Sequence, residues 1–524
     1  MKKFLEDVNA LIGQLENMIE PTRDCLEKIK VSYGRMNRNE QKESIRILSE
    51  ILKEDYNSYY FLMSLLLTEL KDENIAFFIG QELTKNNCSL WTRHCIEVQM
   101  NMFMFSNQLL HRDEHQEYKM AKSIYNCLQE EIKKKVGAKY EYIPYYERKK
   151  KIVIIVWQLL SVGHAPTRKA IDIYKYLQKL GYEVKIYVCF WTGEVDKESI
   201  HWYKEKCGNN FCLESTEFEV NVENTIIVGY NAVSKKENYI YQLRDLIGRI
   251  WDERPEWILE LGSKTVLADL CLKFTTVVTM SCTKSAPVTN APIVARYFNY
   301  SKEENDFFCK CLDKSQKVID VPHEIGGIEK SDIIYKRSDF EIPEKSFVIV
   351  IAGNRLNQEI TTDFLSILYD ILQQNGECLF AIIGKCEDIK HMIEIGDYSD
   401  KFYFLGEQKA FREAISIGDI FLNPPRQGGG TGGLYAILEQ VPVITLDNCD
   451  VESICGKEFV CESITMIPNL VRKYYEDAEF MKRQKEICSI NGEKFTNVDS
   501  LGNFKALCEM VKTVTLEKEK IYET

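Results

Sequence analysis

Apolar and polar positions alternate with a helical period along the first part of the chain. Apolar side chains share one helix face at Leu5, Val8, Leu11, Ile12 and Leu15, and again at Ile45, Leu48, Ile51 and Leu52. The segment 59–70 (YYFLMSLLLTEL) is apolar nearly all round, which is typical of a buried helix. We therefore predict an all-α domain over residues 1–135, with a role in docking an acceptor or a partner.

The pattern changes after a basic, tyrosine-rich linker over residues 136–150. Residues 151–157 (KIVIIVW) are β-branched and have the length of a buried parallel strand. A helix at 169–180 and a strand at 183–189 complete a βαβ unit. Further strands are predicted at 225–228, 257–260 and 275–280, and helices at 240–251 and 263–272. This alternation predicts a doubly wound parallel sheet over residues 151–325.

A second series of strands and helices follows a polar, turn-rich connection. Strands are predicted at 347–352, 378–383, 402–405, 420–422 and 441–446, and helices at 362–373, 408–417 and 434–438. We assign them to a second Rossmann-like domain over residues 340–510, followed by a C-terminal tail at 511–524. The predicted fold class is α/β, with two Rossmann-like domains preceded by an all-α domain.

A glycine-rich segment lies inside the second series, between a strand and a helix. Residues 419–447 read DIFLNPPRQGGGTGGLYAILEQVPVITLD. A glycine loop that opens a helix presents bare backbone N–H groups and the positive helix end, where a phosphate can bind. The strand, glycine loop, helix and strand of this segment therefore predict a phosphate site built by Gly428, Gly429, Gly430, Thr431, Gly432 and Gly433.

Composition narrows the class of protein. The chain has 524 residues and a net charge of −12, which argues against general nucleic-acid binding. The 18 cysteines are scattered without metal-type spacing, so we expect free thiols in a reducing cytoplasm and no bound metal. The longest apolar runs have the length of strands, so no transmembrane segment is predicted.

The segment 419–447 resembles the donor-binding segment of family 4 glycosyltransferases of the GT-B fold. Its triple glycine followed by Thr431 is also similar to the donor loop of family-41-like enzymes, which include bacterial protein glycosyltransferases. The resemblance covers about residues 150–510. Family 4 enzymes have two glutamates around this loop. When Pro442 is set on the proline of that family, Gln427 and Tyr435 occupy the places of the two glutamates.

The resemblance implies a glycosyltransferase that works without a metal or another cofactor. It would move a hexose or N-acetylhexosamine from a UDP-linked donor to a protein or a cell-surface glycan. The first Rossmann-like domain would face the acceptor and the second the nucleotide-sugar. The sequence leaves open whether the chain works alone or in a homo- or hetero-oligomer.

The resemblance also implies roles for single residues. His164, in the segment GHAP, would be the general base that deprotonates the acceptor. Donor-binding residues would be Arg355, Lys385 and the loop 428–433. Further candidate site residues are Asn354, Gln427 and Glu439, together with Arg168 for donor or acceptor and Ser263 for the acceptor side. Each residue also has a simpler explanation: His164 could cap a helix, Arg355 could pair with Glu359, Lys385 could be an exposed loop lysine, and Ser263 could be an N-cap.

Two other functions remain open from the sequence. The replacement of both family 4 glutamates is compatible with a non-catalytic GT-B-like subunit that binds a partner glycosyltransferase. A nucleotide-sugar 2-epimerase shares the fold and needs no acceptor.

Overall fold

The computed structural model describes most of the chain. The described part excludes residues 18–20, 53–55, 86–92, 94–95, 98, 102, 105–113, 138–139, 161–163, 190–216, 223, 232–238, 298–299, 323–329, 395, 427, 448 and 524. In the part that is described, no helix is long and apolar enough to cross a bilayer.

The N-terminal region is helical, as the sequence predicts. Its helices are α1 (Lys2–Glu16), α2 (Arg23–Gly34), α3 (Arg38–Leu52), α4 (Tyr56–Leu70), α5 (Glu73–Leu83) and α6 (Glu114–Val136). The periodic apolar positions of α1 are buried against those of α2, α4 and α5 in one core. Helix α6 joins the two regions: Ile124 is buried in this core, whereas Tyr125, Leu128 and Ile132 pack on the α/β unit that follows.

The first α/β unit contains one eight-stranded sheet. Its strands are β1 (Lys149–Val156), β2 (Glu183–Val188), β3 (Glu217–Val222), β4 (Thr225–Asn231), β5 (Pro255–Leu261), β6 (Val277–Met280), β7 (Ile293–Arg296) and β8 (Lys317–Asp320). The strand order is β3-β4-β2-β1-β5-β6-β7-β8, and only the described pair β3–β4 is antiparallel. The sequence analysis missed β3, β7 and β8, which are short or lie toward the edges. Helices α7 (Ala165–Lys179), α8 (Tyr239–Glu253), α9 (Val266–Cys271) and α10 (Lys302–Cys311) connect the strands.

The second α/β unit contains a five-stranded parallel sheet. Its strands are β9 (Phe347–Ala352), β10 (Cys378–Ile383), β11 (Phe402–Gly406), β12 (Ile420–Leu422) and β13 (Val443–Ile444), in the order β11-β10-β9-β12-β13. Its helices are α11 (Leu356–Glu359), α12 (Thr362–Gln374), α13 (Glu387–Glu394), α14 (Phe411–Ile415), α15 (Gly430–Leu438), α16 (Asp450–Cys455), α17 (Ile467–Glu476) and α18 (Ala478–Thr496). Every residue of β9 and β10 is buried, which explains their continuous apolar sequences.

The last helix, α19 (Ser500–Glu523), returns to the first unit. Phe504 stacks on Tyr176 of α7 with the ring centroids 5.5 Å apart, and the Thr515 hydroxyl is 2.6 Å from that of Thr276. The domain boundary that the sequence analysis sets at residue 510 falls inside this continuous helix. The two α/β units are therefore tied together by the C-terminal end of the chain as well as by the connection before β9.

Candidate functional site

The glycine-rich segment lies at the topological switch point of the second sheet. From β9 the chain first adds β10 on one side, and it later adds β12 on the other side. Ligands bind in the crevice at such a point, outside the carboxyl ends of the strands. Here the crevice is flanked by residues 353–355, which follow β9, and by residues 423–426 and 428–429, which follow β12.

A buried arginine joins these two segments. Arg426 donates from Nη1 to Glu359 Oε2 at 2.6 Å, from Nη2 to the carbonyl of Ala352 at 2.8 Å, and from Nε to Asn423 Oδ1 at 2.7 Å. The side chains of Arg426 and Glu359 are 5% and 7% exposed. The sequence analysis gave Arg426 no role, and its guanidinium is committed to holding the glycine loop against the end of β9.

The glycines are required for close packing as well as for backbone access. A Cβ on Gly433 would lie 2.8 Å from Cys455 Sγ and from Val451 Cγ1, and one on Gly430 would lie 2.6 Å from Ile454 Cδ1. Helix α15 can therefore approach α16 only because it begins with glycine. Gly429 has φ +95°, a left-handed conformation that glycine adopts readily, and it is the N-cap residue immediately before α15.

Arg355 is brought to the glycine loop. Its Nη2 is 3.2 Å from Glu359 Oε1, and a Cβ added to Gly428 would lie 3.3 Å from the same nitrogen. The pairing with Glu359, foreseen as the simpler explanation, is present. It leaves the Arg355 side chain 37% exposed at the mouth of the crevice.

His164 lies opposite Arg355 on the first unit. It precedes α7, and its Nδ1 is 2.9 Å from Thr167 Oγ1, while its Nε2 is 3.5 Å from Gln158 Nε2. Either ring nitrogen can donate or accept in these two contacts, depending on the tautomer of the imidazole. Burial and, to a lesser degree, the positive charge of Arg355 lower the pKa of His164 to about 4.

Two ionisable residues that the sequence analysis missed lie in the same crevice. Lys169 of α7 is 8% exposed; its Nζ donates to the carbonyl of Ser281 at 2.9 Å and lies 3.1 Å from the centre of the Tyr297 ring. Asp450, the first residue of α16, packs beside Gly430. Burial lowers the pKa of Lys169 to about 7 and raises that of Asp450 to about 6.

The pKa shifts of Lys169 and Asp450 are reduced by nearby groups of opposite charge. Lys284, Lys169 and Arg355 all act to lower the pKa of Asp450 against the effect of its burial. Neither Lys169 nor Asp450 stands in a recognisable motif. The one sequence signal that points to Asp450 is indirect: the glycines at the start of α15 require a closely packed neighbour, and that neighbour is the helix that begins at Asp450.

Two of the donor-site candidates from the sequence, Lys385 and Glu439, lie away from the glycine loop. Lys385 is exposed and pairs with Glu407 at 3.3 Å. Glu439 follows the C-terminal end of α15, where its carboxylate pairs with Arg412 at 2.6 Å and with Lys330 at 2.9 Å. The structure therefore does not bring Lys385 or Glu439 to the start of α15.

Four further candidates complete the set. Ser263 Oγ accepts a hydrogen bond from the backbone N–H of Val288 at 2.8 Å, in the loop after β5. Asn354 is exposed after β9. Arg168 is near enough to Tyr435 to influence its pKa from across the crevice. Gln427 lies outside the described residues.

Tyr435 is the residue that the sequence analysis aligns with the second glutamate of the family 4 pattern, and its side chain is an aromatic ring. It is 9% exposed and makes an edge-to-face contact with Phe411, with the centroids 5.9 Å apart. Burial raises the pKa of its phenol. In the described part of the chain, no three His, Cys, Asp or Glu side chains are grouped so that they could hold a metal ion.

Comparisons with known proteins find similarity in structure only. No protein-family model matches the chain, and no curated protein matches its sequence. A glycosyltransferase from Rickettsia africae ESF-5 superposes with a TM-score of 0.50 at 13% identity, over 70% of this chain and 99% of that one. A mutant O-GlcNAc transferase from Thermobaculum terrenum gives a TM-score of 0.50 at 11% identity, over 98% of this chain and 99% of that one. The fold predicted from the sequence is confirmed: the chain has the GT-B fold of glycosyltransferases, with a helical region before its two α/β domains.

Proposed function

We propose that this protein transfers a sugar from a nucleotide-diphosphate donor, UDP-linked, to an acceptor hydroxyl. The observation that carries the proposal is the placement of Arg355 beside the glycine loop at the switch point of the second sheet. The Thermobaculum terrenum neighbour is an O-GlcNAc transferase. At 11% identity it supports the fold, and the choice between a hexose and an N-acetylhexosamine rests on experiment.

The second unit would bind the diphosphate. The N–H groups at the start of α15 and the guanidinium of Arg355 would face its oxygens, and Arg355 can donate two parallel hydrogen bonds to a phosphate. As the bond between the anomeric carbon and the diphosphate oxygen breaks, negative charge grows on that oxygen. Preorganised donors at this position stabilise the leaving group. We assign this charge compensation to protein side chains rather than to a metal ion.

The first unit would supply the acceptor side. Nε2 of His164 would take the proton of the acceptor hydroxyl while the acceptor oxygen forms its bond to the anomeric carbon. A pKa of about 4 makes His164 neutral and able to accept a proton, but also a weak base. An anionic diphosphate beside it would stabilise the imidazolium and raise that pKa.

The test is product analysis with purified full-length protein and a panel of UDP-sugars. We expect release of UDP that increases when cell extract glycans or proteins are added, and mass spectrometry of the acceptor should show one added sugar. His164→Gln should lower the rate with little change in donor affinity. If no UDP-sugar is bound or consumed, the proposal fails.

Two observations favour a second candidate, a non-catalytic GT-B-like subunit. Tyr435 replaces a carboxylate with a buried aromatic ring, and His164 is a weak base in the ligand-free protein. A subunit of this kind would bind UDP without turnover and would co-purify with an active glycosyltransferase. Donor consumption by the isolated chain, lost in His164→Gln, would exclude it.

A further inference from the structure

A cavity of about 280 Å³ lies where the helical region meets the first sheet. Its walls come from the helical region (Glu97, Asn101, Tyr125), from the ends of β1 and β5 with the residues that follow them (Val156, Trp157, Gln158, Leu261, Gly262, Ser263, Lys264), and from Pro166 and Cys282. Strands β1 and β5 are the pair at which the first sheet changes direction, because β2 and β4 lie on one side of β1 and β5 lies on the other. The cavity thus occupies the switch point of the first sheet.

The cavity adjoins the candidate base. Gln158, which lines it, also faces Nε2 of His164 at 3.5 Å, and Pro166 follows His164 by two residues in α7. A group bound in the cavity would therefore hold the rest of the same molecule close to His164.

The charges at the cavity wall cancel. Glu97 and Lys264 are the two lining residues that carry a charge among those described, and they pair at 2.7 Å. Glu97 is 3% exposed, so this pair also fixes the helical region to the loop after β5. A charged ligand would lose its hydration in this cavity and would find no unpaired opposite charge among the described lining residues. The cavity therefore disfavours charged ligands.

Most polar atoms of the wall are already bonded. The Tyr125 hydroxyl donates to Asp269 at 2.7 Å, the Trp157 Nε1 donates to Thr265 at 3.2 Å, and Ser263 bonds the backbone of Val288. What these residues offer a ligand is ring and aliphatic surface, joined by Val156, Leu261 and Pro166. Such a wall favours a flat apolar group through burial and ring contacts.

We infer that this cavity is an acceptor subsite that takes an uncharged aromatic group of the acceptor, and that the helical region completes it. The inference rests on the proposed function for the identity of the ligand as an acceptor. It makes Glu97, Asn101 and Tyr125 part of the substrate site, so the helical region selects acceptors by their shape and lack of charge.

The experiment uses the full chain, with N-acetyltyrosine amide as the neutral aromatic probe and N-acetylaspartate as the charged one. Asn101→Phe fills the cavity from the helical side, where the Asn101 amide makes a 3.4 Å contact with Glu97. Asn39→Phe is the matched control, since Asn39 is an exposed residue of α3. Saturation-transfer NMR should show the aromatic amide binding to the wild type and to Asn39→Phe, at least tenfold more weakly to Asn101→Phe, and N-acetylaspartate at least tenfold more weakly than the amide.

A photoreactive diazirine derivative of the same amide makes the test independent of the folding of any variant. Irradiation of the wild type should label peptides that contain Trp157, Leu261 or Cys282. Labelling elsewhere only, equal affinity of the two probes, or unchanged affinity in a folded Asn101→Phe would overturn the inference. UDP binding is measured on the same samples: a chain that binds the amide and not UDP contradicts the proposed function alone, and one that binds UDP and not the amide contradicts the subsite alone.

Discussion

Arg426 and Glu359 form an ion pair of 2.6 Å, with both side chains almost fully buried, between the glycine loop and the helical turn after β9. The second oxygen of Glu359 faces Arg355 at 3.2 Å. One carboxylate thus serves a structural arginine and the candidate phosphate-binding arginine. Because Arg426 is held by three acceptors, the glycine loop is fixed before any ligand arrives, and Arg355 is positioned by the same anchor.

Removing the anchor should destabilise the second unit. We expect Arg426→Met to cost about 3–5 kcal/mol, because Glu359 would remain buried with one cation lost. Arg46→Met is the matched control: Arg46 pairs with Glu43 on an exposed helix surface, where solvent screens the pair, so its loss should leave the stability almost unchanged. Urea unfolding followed by circular dichroism compares them, and equal midpoints for the two variants would contradict this account of the anchor.

The close packing of α15 against α16 makes a second prediction. Gly433→Ala places a Cβ 2.8 Å from Cys455 Sγ, and the overpacking should cost about 1–3 kcal/mol, more than the helix propensity that alanine gains.

Gly13→Ala in α1 is the control for this substitution, since nothing lies within 4 Å of the added Cβ. We expect it to raise the melting temperature slightly, through a gain of up to about 1 kcal/mol. If Gly433→Ala is as stable as Gly13→Ala, the glycine at 433 is not required for packing.

Asp450 should destabilise the folded protein at neutral pH. Its folded pKa of about 6 lies above the unfolded value of 3.8, so the folded state keeps its proton longer and loses stability as the pH rises from about 4 to about 6. Asp450→Asn lacks this loss. Its melting temperature should exceed that of the wild type at pH 8 and approach it at pH 4, whereas a difference that does not change with pH would show that the carboxylate is not strained by burial.

His164 should titrate in the opposite sense. Its folded pKa of about 4 lies below the unfolded value of 6.5, so the folded state resists protonation and its stability falls as the pH drops from about 6.5 to about 4. NMR of the imidazole Cε1–H, assigned with His164→Gln, should show neutral His164 at pH 5 in the free protein. With UDP bound, the pKa should rise. A free-protein pKa near 6.5 would mean that the ring is solvated rather than buried beside Arg355.

Local sequence predicted the parts of this fold that depend on local patterns. The run 151–157 (KIVIIVW) is continuous and apolar because β1 is buried on both faces, and the glycines at 428–433 mark a helix start that the structure confirms at Gly430. The edge strand β3 was missed although its sequence, EFEVNV, alternates polar and apolar residues with the period of a half-buried strand.

Long-range pairings could not be read from the sequence. Arg426 meets Glu359 across 67 positions, and Lys264 meets Glu97 across 167. Lys169 and Asp450 come together only when the two units face each other. The sequence around each of these residues contains no recognisable motif. Each role depends on burial by segments that are distant in the chain, which a short sequence pattern cannot predict.

The most direct test of the central claim is calorimetric titration of UDP into the wild type, Arg355→Ala and Arg46→Ala. If the crevice beside the glycine loop holds a nucleotide diphosphate, the wild type and Arg46→Ala should bind UDP alike. Arg355→Ala should then bind at least tenfold more weakly, a loss of about 1.4 kcal/mol. Absence of UDP binding to the wild type, or equal affinity in Arg355→Ala, would contradict it.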